Sequence, residues 1–166
     1  MVSDMFSVSN ENRYFEDYIP GSVHEYGPIA VEEDEVLAFG RRFDPQPFHT
    51  DPQAARKSAY GGLIASGWHT AALMMRLFSD HYLSKAASLG SPGVDELRWL
   101  RPVRPGDRLR LRVTVMDGTR RSRSKPDRGI LRSFIEMRKQ DGEVVMTMKA
   151  LNLLSCRGKG RVQGEG

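Results

Sequence analysis

The chain has 166 residues and one cysteine, Cys156, which fits a single domain in a reducing, cytoplasmic compartment. Hydrophobic residues make up 39%, mean hydropathy is −0.48, and no apolar run approaches the roughly 18 residues of a spanning helix, so a membrane protein is not expected. The N-terminal stretch lacks the basic start and apolar run of a secretory signal, and the net charge of +4 is too mild to demand a nucleic-acid partner.

Residues 1–13 and 156–166 read as loosely ordered ends around one domain spanning 14–155. Residues 26–31 look extended. Glu32 to Glu35 then load the start of a helix with negative charge, and Arg41-Arg42 suit its end. Val36, Leu37, Phe39 and Phe43 supply its apolar face. Residues 44–49 (DPQPFH) are not expected to be helical, because Pro45 and Pro47 push their predecessors out of the α region. Asp51-Pro52 reads as an N-cap with proline at the first helical position, opening a short helix to about residue 58.

Gly61-Gly62 breaks that helix. Residues 63–83 form the longest apolar segment, with helical spacing and apolar residues on most sides. Such a helix is expected to be buried. Four strands follow, over residues 94–100, 108–116, 130–138 and 143–154. The cleanest is Leu109-Arg-Leu-Arg-Val-Thr-Val115, which alternates strictly. Asp141-Gly142 marks a hairpin turn and Pro105-Gly106-Asp107 another turn. Consecutive strands with short links, plus one buried helix, imply an α+β domain with an antiparallel sheet wrapped around the helix.

The charge is uneven. Residues 98–132 hold twelve basic and three acidic residues, an excess of +9, and the rest carries −5. The block Arg120-Arg121-Ser-Arg123-Ser-Lys125-Pro-Asp-Arg128 reads as a solvated connection between strands, or as a phosphate-binding segment through charge-assisted hydrogen bonds. It lacks the interleaved aromatics of a single-strand nucleic-acid binder. No metal-ligand spacing and no nucleotide-binding glycine motif occurs. His24 and His81 read as surface residues, and His69 as a packed or interface histidine.

The chemistry concentrates in Asp44-Pro-Gln46-Pro-Phe48-His49. A carboxylate and an imidazole five residues apart on a proline-stiffened loop can converge on one water and exchange protons with it. The same residues also read as a turn cap and an ordinary loop histidine. Ser66-Gly67-Trp68 lies near the start of the long helix. Free backbone N–H groups there suit a polarised carbonyl, and Gly67 permits close approach; it also reads as a small residue needed for packing.

Three ordered runs, FDPQPFHTDPQAA, GGLIASGWHTAALMMRL and DELRWLRPVRPGDRLRLRVTV, resemble the MaoC-like dehydratases, which include the (R)-specific enoyl-CoA hydratases and have the hot-dog fold. The resemblance spans roughly residues 14–155. Asp44, Pro47 and His49 match the family's loop, with Gln46 where asparagine is usual. Ser66-Gly67-Trp68 replaces a usual His-Gly-Met, and Pro102 to Asp107 matches in full.

The resemblance implies a lyase of acyl-CoA metabolism that needs no cofactor, coenzyme A being part of the substrate, and no metal. It implies that Asp44 and His49 activate a water for addition to a trans-2-enoyl-CoA. The N–H of Gly67 would hold the thioester oxygen. Gln46, Phe48, Ser66 and Trp68 would line the substrate, and Arg120, Arg121, Arg123 and Lys125 would meet the coenzyme A phosphates. A homodimer or dimer of dimers is expected, with no nucleic-acid or membrane partner. A thioesterase and a non-catalytic acyl-CoA-binding module are the alternatives on this scaffold. The long helix has no acid between Leu63 and Ser79, where thioesterases of the fold usually carry one.

Overall fold

Alternating apolar and polar residues build the sheet. The strands are β1 (Val23–Ala30), β2 (Gly93–Trp99), β3 (Arg108–Val115), β4 (Arg120–Arg121), β5 (Arg128–Arg138) and β6 (Val144–Ser155) in the computed structural model, which describes residues 6–158. In β3, Leu109, Leu111, Val113 and Val115 are buried while their neighbours are more open, as strict alternation demands. The order is β1-β3-β5-β6-β2, every pair antiparallel, with β4 beside β5. Only β5 and β6 are joined by a tight turn, whereas β1 pairs with β3 and β2 with β6 across long stretches of chain. Gly142, at φ +88°, closes the β5–β6 hairpin where Asp141-Gly142 is expected to turn.

The helices are α1 (Glu33–Phe43), α2 (Pro47–Thr50), α3 (Pro52–Lys57) and α4 (Gly67–Leu77), the last continued by a π turn over Phe78–Tyr82. Leu73, Met74, Leu77, Phe78 and Tyr82 pack with Leu111, Ile135, Met137 and Met146 of the sheet. Each fully buried side chain of this size contributes about 1.5–3 kcal/mol. The fold is the expected α+β hot-dog arrangement, a sheet wrapped around a central helix.

Several expectations need correction. The central helix starts at Gly67 rather than near Leu63. Ile64 and Ala65 lie outside any helix, their N–H groups bonding the carbonyls of Phe48 and Val103. Burial of Leu63 and Ile64 mimics helical periodicity without a helix. Nor is α4 buried all round, since Trp68 and Met75 are 59% and 42% exposed. The DPQPFH stretch does contain a helical turn, α2, with Pro47 at its first position, where its missing N–H costs nothing.

The N-terminal expectation fails for residues 6–13. Arg13 is buried, donating to the carbonyls of Val8, His81 and Tyr82, with its guanidinium 3.5 Å from the Phe6 ring centroid. His24 is likewise buried, stacked on Phe6. At the other end Cys156 N–H bonds Asp127 O, and Arg157 pairs with Asp17, so these two residues are anchored. Residues 1–5 and 159–166 of the expected loose ends lie outside the described residues. Among the described residues, no helix is long and apolar enough to cross a membrane.

Candidate active site

Asp44 ends α1, its N–H bonding the carbonyl of Gly40. Three residues on, Pro47 opens α2, which carries His49 in its single turn. Asp51 then caps α3, its carboxylate accepting from the N–H groups of Gln53 and Ala54, as the Asp51-Pro52 pair predicts. Gly40 lets α1 lie against this turn. A β-carbon there would stand 2.7 Å from the carbonyl oxygen of His49. The two prolines and the glycine thus set where the acid and the imidazole face each other.

His49 is 4% exposed, and its Nδ1 lies 2.8 Å from the carbonyl oxygen of Ile64. A carbonyl only accepts, so Nδ1 carries the proton and donates it. Nε2, the other ring nitrogen, lies 3.3 Å from Asp44 Oδ2 and presents a lone pair when the ring is neutral. The Ser66 hydroxyl donates to Asp44 Oδ2 at 2.7 Å, and the Gln46 amide donates to Oδ1 at 2.7 Å. Burial pushes the Asp44 carboxyl up, but these two hydrogen bonds and His49 outweigh it and hold the pKa below the ordinary 3.8. The site therefore pairs a stable carboxylate with an imidazole whose free nitrogen can take a proton.

The start of α4 meets this pair through Ser66. Its side chain caps the helix by accepting from Trp68 N–H at 3.3 Å while it donates to Asp44. Gly67 follows at the first helical position, and its N–H has no hydrogen-bond acceptor among the described residues. Both the proton-accepting pair and this N–H border a cavity of about 530 Å³. Free N–H groups at a helix start favour developing negative charge.

Asp44, Gln46, Phe48, His49, Gly67 and Trp68, all anticipated from sequence, line the cavity. Ser66 is fully buried behind it and acts on Asp44 rather than on the open space. Tyr60, Trp99 and Arg101 line it as well and were not anticipated. Trp99 and Arg101 lie in the recognisable run that holds Pro102–Asp107, which is the hint the sequence offers. Trp68 and Trp99 meet edge to face at 4.9 Å.

The basic residues do not join the site within one subunit. Arg120 pairs with Ile130, and Ile130 with Leu153, whereas Val145 borders the cavity. Eight residues of β6 separate Leu153 from Val145, about 26 Å of strand. Arg120, Arg121, Arg123 and Lys125 thus occupy the opposite end of the sheet. They do not line the cavity that Asp44 and His49 border.

A family model described as MaoC like domain matches residues 15–131. The crystal structure of a MaoC-like dehydratase from Rhodospirillum rubrum superposes with a TM-score of 0.81 and is 39% identical, covering 89% of this chain and all of that one (100%). The unliganded R-hydratase PhaJ1 from Pseudomonas aeruginosa has a TM-score of 0.70 at 20% identity, over 92% of this chain and 95% of its own, a likeness of fold. The 3-hydroxyacyl-thioester dehydratase Z of Mycobacterium tuberculosis is 33% identical over 84 residues. That stretch is 49% of this chain and 56% of the mycobacterial protein.

Proposed function

The chain belongs to the MaoC-like dehydratase family, and on that premise we propose that it adds water across a trans-2-enoyl-CoA to give an (R)-3-hydroxyacyl-CoA. The observation that carries this reading is the His49 tautomer. Ile64 holds the proton on Nδ1, leaving Nε2 free beside the Asp44 carboxylate at 3.3 Å. A water on the cavity side of the pair has one acceptor for the proton it loses and one for the proton it keeps.

In this reading the thioester carbonyl sits at the start of α4 and accepts from Gly67 N–H. Water adds its oxygen to Cβ as His49 Nε2 takes a proton. The enolate charge develops against Gly67 N–H and the positive end of the helix. The imidazolium then returns that proton to Cα, and the site is restored. Asp44 remains anionic throughout, stabilising the imidazolium and orienting the water. The neighbourhood supports this division of labour, since two donors already hold the Asp44 carboxylate.

The test is hydration of a panel of trans-2-enoyl-CoA thioesters by purified protein, followed by loss of enoyl absorbance. Asp44→Asn and His49→Gln are each expected to lower kcat about 10²–10⁴-fold. Absence of hydration across the panel, in folded protein, overturns the reading.

A further inference from the structure

A second cavity, of about 760 Å³, lies between α1, α4 and the end of β1. It shares no lining residue with the cavity that Asp44 and His49 border. Its walls are mostly apolar, with Ile29 from β1, Phe39 and Phe43 from α1, and Leu73 from α4. A hollow of this size, apolar with a few polar groups, has the character of a small-molecule site.

The polar group set into these walls is His69. Its ring is 4% exposed and stacks on Phe39, with centroids 5.0 Å apart. Neither ring nitrogen has a hydrogen bond among the described residues. Nδ1 is enclosed without a partner, and Nε2 stands 4.0 Å from Glu35 Oε2, beyond hydrogen-bond reach. A buried polar group left so is destabilising until something completes it. Burial holds the His69 pKa below the ordinary 6.5 against the pull of Glu35, so the ring is neutral at pH 7 and carries one N–H. The Glu35 carboxylate favours that proton on Nε2, the nitrogen nearer to it.

The cavity thus presents a donor and an anionic acceptor 4.0 Å apart. Two hydrogen bonds of about 2.8 Å that meet at one oxygen at roughly 90–110° span about 4.0–4.6 Å. A hydroxyl fits this gap, accepting from Nε2–H and donating to Glu35 Oε2. A carboxylate has no proton to give and meets the charge of Glu35, and an ammonium cannot accept from Nε2–H. Of the two arginines at the edge, Arg76 is paired with Asp80 at 2.8 Å, and Arg42 lies over the Phe43 ring at 4.8 Å. We propose that this second cavity binds an apolar alcohol, its hydroxyl bridging His69 and Glu35 and its hydrocarbon body lying against Phe39, Phe43 and Leu73. The site is independent of the hydratase reading, because none of its residues takes part in that reaction.

The test titrates 1-hexanol, hexyl methyl ether and hexanoate into the full chain, labelled in its leucine methyl groups and imidazole nitrogens and followed by NMR. Hexanol is expected to bind about tenfold or more tighter than the ether, which cannot donate to Glu35, and than hexanoate. Nuclear Overhauser contacts from hexanol to the Leu73 methyl groups, with a shift of the His69 nitrogens, are expected to place it in this cavity. His69→Phe keeps an aromatic ring in the wall, and Glu35→Leu alters a side chain that is 60% exposed, so the second is the safer variant for folding. In each, hexanol and the ether are expected to come within about twofold of each other. Asp44→Asn with His49→Gln is expected to leave hexanol binding unaltered. Equal binding of the three probes, a preference for the ether or hexanoate, or no binding at all overturns the proposal. So does a preference for hexanol that survives Glu35→Leu or is lost in the Asp44, His49 double variant.

Discussion

The indole ring of Trp99 occupies the space where a β-carbon on residue 67 would stand, 2.4 Å from that position at its nearest atom. The end of β2 therefore closes directly over the first residue of α4, and only glycine admits it. This contact sets the roof of the cavity beside the N–H assigned to the thioester oxygen.

Gly67→Ala is expected to displace Trp99, open the roof and move the N–H. Overpacking of this kind costs about 1–3 kcal/mol. Thermal unfolding should report that loss, and tryptophan fluorescence should report a more solvated ring. Hydration is expected to fall further than stability does. Trp99→Ala in the same chain should recover stability without recovering hydration of short acyl chains.

Ser66→Ala removes a donor to the Asp44 carboxylate. The pKa of Asp44, now below 3.8, is expected to rise. A carboxyl whose folded pKa is depressed contributes stability above its unfolded pKa, and loses it as pH falls through the folded value. The variant should therefore lose stability at a higher pH than the unaltered protein on the acid side. Urea unfolding between about pH 3 and 7 measures the shift, and the acid limb of the pH–rate profile should move upward with it. At neutral pH the cost is about 1–3 kcal/mol from the lost hydrogen bond and cap.

Arg13→Ala is expected to cost about 3 kcal/mol or more, because the carbonyls of Val8, His81 and Tyr82 lose their buried donor. Arg13→Lys should recover only part, since an ammonium cannot reach all three in one plane. Denaturant unfolding compares the three proteins. A loss below about 0.5 kcal/mol would show that the N-terminal segment packs without this anchor.

Local patterning carried most of the fold. Alternation in β3, the Asp141-Gly142 turn, the Asp51-Pro52 cap and the acidic start of α1 each act within a few residues, so the chain order of elements could be read from sequence. Asp44 and His49 were legible because they share one short, proline-stiffened loop. The tertiary structure decided the rest. Leu63 and Ile64 continue the helical spacing yet lie outside the helix, where the Ile64 and Ala65 N–H groups bond the carbonyls of Phe48 and Val103 from distant segments. The tautomer of His49 depends on a carbonyl fifteen residues away, and the roof of the cavity on a strand end more than thirty residues beyond Gly67. The +4 of the whole chain indicated little. Its concentration in 98–132 was visible in sequence, but strand register alone shows that its most basic segment lies a sheet's length from its own cavity. Sequence neighbours determine propensity, whereas distance across a sheet depends on which strands pair and in which direction.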